Sequence, residues 1–401
     1  MKSRLDRNVW VLSITSFLTD VSSEMLFNLV PLFLVNVLGA RTSVVGLIEG
    51  VAETTASLVK VYSGSLSDRF GNRKRLTVLG YGFSALVKPL LYFASTWVWV
   101  LLVRFTDRVG KGIRSAPRDA LLAGSVGEKN RGLAFGLHRA ADTAGAFTGL
   151  GVATLIIWMT QAGFTRLTRP AFQMVVLASI VPAFLAVLIL ACGAREIPSQ
   201  NQDFGGLFVH LQGLDRNFYF FLVTVVIFTL GNSADAFIIL RAQERGLSVL
   251  QVMGTLLTFN AVYTLVSSPA GSLSDRIGRQ RVLLMGWLVY GLIYLGLGCA
   301  QAGWQVWTLF GLYGVYYGMA EGAARAFVAD LVPQEQRGTA YGLYHAGVGL
   351  AALPASLIAG ILWQGIGGWR GFGPGAPFFF GAGMALLAGG MFIVWLFAAG
   401  D

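Results

Sequence analysis

Residues 104–119 read RFTDRVGKGIRSAPRD, seven charged residues in sixteen, five of them basic. Set on a helix at about 100° per residue, Arg104, Asp107, Arg108, Lys111, Arg114, Arg118 and Asp119 fall within an arc of about 140°. Phe105, Val109 and Ile113 take the opposite side. Guanidinium forks grip carboxylate or phosphate bidentately, and a lysine adds a point charge. Arg108, Lys111 and Arg114 are therefore candidates to bind an anionic or zwitterionic solute. Two other segments bring carboxylates: Asp20 and Glu24 lie four residues apart, and Glu49 and Glu53 share a helical face with Lys60. A buried carboxylate beside a basic group changes partner when it takes a proton, so Asp20, Glu24, Glu49 and Glu53 are candidates for proton coupling. The same charges admit a second reading, an ion-pair lattice that only stiffens the molecule.

The elements that must position these charges are apolar. The chain of 401 residues is 55% hydrophobic and 12% charged, with a mean hydropathy of +0.64. Soluble domains carry about 25% charge. Runs such as FQMVVLASIVPAFLAVLILACGA approach the roughly 20 residues that span a bilayer as a helix. This composition specifies an all-α polytopic membrane protein. The net charge of +10 follows from topology rather than from nucleic-acid binding. Lys2, Arg4 and Arg7 precede the first span, Arg69, Arg73, Lys74 and Arg75 follow the second, and Arg276, Arg279 and Arg281 follow the eighth. The alternate loops are poorer, with Arg41, Arg166, Arg169, Arg245 and Arg370. Basic loops stay cytoplasmic, which predicts twelve spans with both termini cytoplasmic, in a bacterial inner (plasma) membrane. The basic, then apolar amino terminus reads as a retained first helix, because Asp20 and Glu24 interrupt it and no cleavage pattern follows.

The chain is duplicated. GSLSDRFGNRKRLTVLG at 64–80 returns as GSLSDRIGRQRVLLMG at 271–286. RDALLAGSVGEKNRGLAFGLHRA at 118–140 returns as RAFVADLVPQEQRGTAYGLYHA at 325–346. FLTDVSSEM at 17–25 aligns with FTLGNSADA at 228–236, which sets Glu24 opposite Asp235 and brings in Asn232 as a second-half candidate. Two pseudo-symmetric six-helix bundles follow, 1–194 and 217–401, joined by a polar cytoplasmic linker at 195–216. Parallel repeats of this kind place a binding site near the bilayer midplane. Because 104–119 aligns with GLYGVYYGMAEGAARA at 311–326, the charged stretch is expected to be the fourth membrane helix and not a loop.

GSLSDRFGNRKR resembles the signature loop of the major facilitator superfamily between its second and third helices, and the second copy falls between the eighth and ninth. Arg104 matches that family's helix-four arginine. The resemblance implies the twelve-helix fold, secondary transport by alternating access, and a functional monomer. It also implies gating roles for Gly64, Asp68, Arg69, Gly71, Arg104 and Arg118, and for Gly271, Asp275, Arg276, Gly278 and Arg325 in the second copy. The glycines allow tight turns, and Asp68 with Arg118, like Asp275 with Arg325, is expected to form a latch. The chain departs from the family at Asn72, where a basic residue is usual. It also departs at DTAGAFTGLGVA in the fifth helix, which lacks the Gly-Pro motif of many drug exporters.

The remaining chemistry is sparse. His138, Arg139 and Asp142 open the fifth helix and His345 the eleventh, without metal-ligand spacing. Cys192 and Cys299 lie in separate apolar spans and read as packing residues. Tyr263, Tyr313, Tyr316 and Tyr317 supply either cavity walls or packing. No phosphate loop, G-x-S-x-G or metal quartet occurs, so neither an enzyme nor an ATP-driven pump is expected, and no cofactor or metal. The expected partners are a small anionic or zwitterionic solute, protons and the lipid bilayer. The competing reading is a drug/proton antiporter of the multidrug-efflux type that uses Asp20, Glu24 and Asp235.

Overall fold

In hydrocarbon every backbone N–H and C=O must be paired within the segment, which makes helices of the apolar runs. The computed structural model describes residues 6–70, 72–127, 130–161, 163–197 and 214–398. The helices of the first repeat are α1 (Arg7–Phe27), α2 (Val30–Asn36), α3 (Thr42–Phe70), α4 (Arg73–Val87), α5 (Trp97–Gly124), α6 (Arg131–Gln161) and α7 (Arg169–Gly193). A 3₁₀ turn, Lys88–Phe93, extends α4. The second repeat comprises α8 (Arg216–Gly231), α9 (Ala236–Glu244), α10 (Val249–Ile277), α11 (Arg279–Cys299), α12 (Gly303–Asp330), α13 (Arg337–Gln364) and α14 (Ala376–Ala398). Nine of the described helical segments, counting α1–α2 and α8–α9 as one each, are long and apolar enough to cross a membrane. The other long helices, α3, α5 and α12, complete the twelve-helix fold. The stretch 104–119 lies inside α5, which runs unbroken through Pro117.

Close packing fixes α5 against α4. A Cβ on Gly80 would stand 2.6 Å from the carbonyl oxygen of Gly110, and one on Gly110 would stand 2.7 Å from that of Gly80. Such small-residue contacts let membrane helices approach backbone to backbone. The turn from α10 to α11 is a single residue, Gly278, at φ +97°, a conformation that side chains with a Cβ avoid.

Contacts divide the chain into two compact units. The first holds the residues up to Gly39, Thr55–Gly163 and the segment from Leu167. The second holds Ala40–Thr54, Phe164–Arg166 and the segment from the linker to the carboxyl terminus. The division differs from the expected bundles 1–194 and 217–401 because the amino half of α3 packs on α13. Thr42 Oγ1 donates to the Gly360 carbonyl at 3.1 Å, and Thr54 Oγ1 donates to that of Gly349 at 2.6 Å. The start of the expected linker is also packed, within the first unit. Asn8 and Arg195 exchange two hydrogen bonds of 3.0 and 2.8 Å, and Glu196 accepts from the backbone N–H groups of Arg73 and Lys74, capping α4. Most of the linker and Gly71 lie outside the described residues, as do the side chains of 64–70, Asp68 and Arg69 among them.

Candidate functional site

In the first unit the charges gather around two aromatic rings. Lys88, 1% exposed, sits on the turn after α4 and donates to Ser22 Oγ at 2.9 Å and Ser23 Oγ at 3.0 Å. Its ammonium lies 5.6 Å from the centre of the Phe27 ring, Arg104 lies 4.4 Å from that centre and Arg108 5.9 Å. Arg104 is 2% exposed. Further along α5, buried Arg114 lies 4.2 Å over Tyr81. A desolvated cation on a ring face gains about 2 kcal/mol, which offsets part of the cost of holding these groups in the membrane. Asp107, also buried, lies on the same helix as the arginines.

Of the α1 carboxylates, Asp20 is within electrostatic reach of this group. Asp20 is half-buried and feels Asp142, Glu24, Arg114 and Lys111. Glu24 is held by its own helix, accepting from Asn28 Nδ2 at 2.9 Å, one turn before α1 gives way to α2. Lys111 is exposed, whereas Arg108 is half-buried. Glu49 and Glu53 lie on the part of α3 that packs with α13, so they fall in the other unit; Glu49 is buried and Glu53 exposed. His138 is buried with Nε2 3.8 Å from Asp142 Oδ1.

Of the expected latch residues, the described arginines have partners on their own helix, while the side chain of Asp68 lies outside the described residues. Arg118 pairs with its neighbour Asp119 through two contacts of 2.8 and 3.0 Å. Arg325 pairs with Glu321 at 2.6 Å, one helical turn back, a spacing that brings the two side chains together. Asp275, Arg276 and Gly271 are exposed near the end of α10. At the same end of α12, Arg279 bonds the carboxylate of Asp330.

The second unit is aromatic where the first is charged. α8 stops at Gly231, and Asn232–Asp235 bridge to α9. Interrupted membrane helices of this kind mark binding sites in transporters. Asn232 is fixed in the break, accepting from Tyr313 Oη at 3.1 Å and donating to Tyr316 Oη at 3.4 Å. Asp235, half-buried, caps α9 through its backbone carbonyl. A cavity of about 150 Å³ opens beside Asn232 between α8, α11, α12 and α13. Arg241, 1% exposed, is structural and donates to the carbonyls of Leu297, Gly298 and Ala300 at the end of α11.

The sequence reading missed Lys88, Ser22, Ser23, Phe27 and Tyr81. A signal was present, since Lys88 is the lone charge in the apolar run TVLGYGFSALVKPLLYF. A charge in such a run must face protein or water.

A duplicated membrane protein with a charged cluster in one repeat and an interrupted helix in the other has the layout of a solute carrier. The family model of the Major Facilitator Superfamily matches residues 12–254 and 219–400. An uncharacterised MFS-type transporter of Methanocaldococcus jannaschii is 36% identical over 391 residues, covering 96% of this chain and 94% of that one. Multidrug resistance protein MdtG of Serratia proteamaculans is 24% identical, over 81% of this chain and 79% of its own. Among solved structures, the nucleoside transporter NupG superimposes with a TM-score of 0.80 at 14% identity, over 96% of this chain and 99% of that one, a likeness of fold. The chain belongs to the Major Facilitator Superfamily. It is an integral membrane transporter and not an enzyme.

Proposed function

We propose that this protein is a proton-coupled secondary transporter that moves a small anionic or zwitterionic solute by alternating access. The observation that carries the reading is the cluster of Lys88, Arg104, Arg108 and Arg114, stacked on Phe27 and Tyr81. Holding four cations in a membrane helix pair is costly, and an anionic solute is a use that matches the cost. Arg108, Lys111 and Arg114 bind the solute in this reading, with Asn232 and Asp235 as the second unit's contribution. Asp20 and Glu24 exchange the proton, because a carboxylate that neutralises a cation releases it when protonated. Glu49 and Glu53 act in the second unit. Arg104, Arg118, Arg325, Asp275 and the signature-loop residues Gly64, Asp68, Arg69, Gly71, Gly271, Arg276 and Gly278 serve gating. The protein works as a monomer in a bacterial inner membrane with both termini cytoplasmic.

The test is a thermal-shift panel on detergent-purified protein at pH 5.5 and 7.5, with phosphorylated, carboxylate, zwitterionic and lipophilic cationic compounds. A ligand raises the unfolding temperature only of a protein that binds it. Stabilisation by anions that is lost in Lys111→Gln and Arg114→Gln supports the reading. Stabilisation by lipophilic cations alone, lost in Glu24→Gln, overturns it. The second outcome favours the multidrug-type antiporter, which the relative named a multidrug resistance protein keeps in view.

A further inference from the structure

The second unit contains a cavity that the basic stripe does not explain. Its walls are aromatic: Phe228 and Trp287, stacked on each other with centroids 4.9 Å apart, and Tyr316 and Tyr317 from α12. Asn232 and Glu321 also line it. At about 150 Å³ it has the size at which an apolar protein cavity accepts one benzene ring. Aromatic faces reward a planar guest, which stacks offset or edge-on at centroid separations of about 4.5–7 Å.

The charge on the wall decides the guest's polarity. Glu321 is the charged residue among those that line the cavity, and its carboxylate is occupied: Arg325 donates to one oxygen at 2.6 Å and Tyr263 to the other at 2.8 Å. A cationic guest would have to compete with Arg325 for that carboxylate. The polar groups left over are neutral. The Asn232 amide, held in one orientation by Tyr313 and Tyr316, keeps a further N–H and a further lone pair. The hydroxyls of Tyr317 and Tyr344, both on the wall, make no hydrogen bond among the described residues. The site thus offers flat apolar faces with donors and acceptors at the rim.

We propose that this cavity is a subsite for one planar, uncharged aromatic or heteroaromatic ring of the transported solute. It rests on the proposed function only in treating the ring as part of the cargo. Ring binding in the second unit and anion binding in the first are separable by experiment.

The experiment is equilibrium binding, by calorimetry, to the detergent-purified full-length protein. The neutral planar probes are nicotinamide, benzamide and uracil. Cyclohexanecarboxamide is the saturated control, nicotinate joins ring and charge, and acetate carries charge alone. At least one neutral planar probe is expected to bind wild type about fivefold or more tightly than cyclohexanecarboxamide. Ala324→Leu adds bulk to the cavity and leaves its aromatic residues unsubstituted, and is expected to weaken that probe about tenfold or more. Tyr316→Leu, which removes a wall, is the second variant should Ala324→Leu fail to purify as a folded monodisperse species. Gly82→Ala, whose added methyl meets nothing, is expected to leave neutral-ring binding unchanged. The proposal is overturned if no neutral planar probe binds wild type, if the saturated ring binds equally well, or if both cavity variants bind as wild type does. Nicotinate and acetate that bind alike, and lose binding in Lys111→Gln, would uphold the anion reading while sinking the ring subsite. Neutral-ring binding that is lost in Ala324→Leu, with no anion bound, would do the reverse.

Discussion

At the scale of single residues, two buried cations have opposite characters. Arg241 directs its guanidinium at backbone, to three carbonyls at the end of α11, and at the carboxylate of Glu244 at 2.7 Å. Four of its five N–H donors are used without a ligand. Arg241→Leu strands those acceptors, each at a cost of about 1–3 kcal/mol when buried, and is expected to lower unfolding temperature sharply with or without solute. Lys88 is held more sparingly, by two serine hydroxyls and the face of Phe27. Lys88→Met leaves those two hydroxyls without their donor, at a cost of about 1–3 kcal/mol when buried, and is expected to destabilise. Phe27→Leu keeps the charges and removes only the ring, so a milder loss of about 1–2 kcal/mol is expected. Thermal unfolding of the three variants ranks them. Equal stability of Lys88→Met and wild type would exclude Lys88 from a buried charge network.

At the scale of elements, α5 can work only if α4 lets it come close. Gly80 and Gly110 meet backbone to backbone, and the same crossing brings Tyr81 under Arg114. Gly80→Ala sets a methyl 2.6 Å from a carbonyl that cannot yield without moving the helix. Overpacking of this kind costs typically about 1–3 kcal/mol. The expected outcome is a lowered unfolding temperature and lost anion binding, while Gly82→Ala, whose added methyl meets nothing, stays near wild type. The helical nature of 104–119 and the shared face of its charges were legible in the sequence because both are local and periodic. Burial of Arg104, Asp107 and Arg114 agrees with that face. Lys88 was harder to find because a single charge has no period. Association of Glu49 and Glu53 with α13 was not legible at all, since it depends on the packing of α3 and not on its composition. Tyr313, Tyr316 and Tyr317 were named as cavity or packing residues. Trp287 and Tyr344 escaped, because aromatic spacing on α11 and α13 looks the same whether a side chain fills a core or walls a cavity.

At the scale of the whole molecule the proposed function requires a proton and a solute to share one cycle. Proton coupling needs a carboxylate that titrates where it also touches the solute-binding cations. In the proposed reading Asp20 takes that part in the first unit, with Glu24 and Asp142 as acidic influences and Arg114 and Lys111 as basic ones. On that proposal the carboxylate would hold the cations while ionised and release them when protonated, which would favour solute binding on the acidic side of the membrane. Asp20→Asn mimics the protonated form permanently. In proteoliposomes the variant is expected to bind solute and to exchange labelled for unlabelled solute across the bilayer. It is also expected to lose accumulation against a gradient when an acid-outside pH difference is imposed, because no proton is released in the return half of the cycle. Wild type should show both activities. If Asp20→Asn still accumulates solute in response to the pH difference, the coupling carboxylate lies elsewhere, and Glu24→Gln in the same assay becomes the decisive comparison. If exchange is lost together with accumulation, Asp20 is needed for binding or for the conformational cycle and its assignment to coupling alone fails.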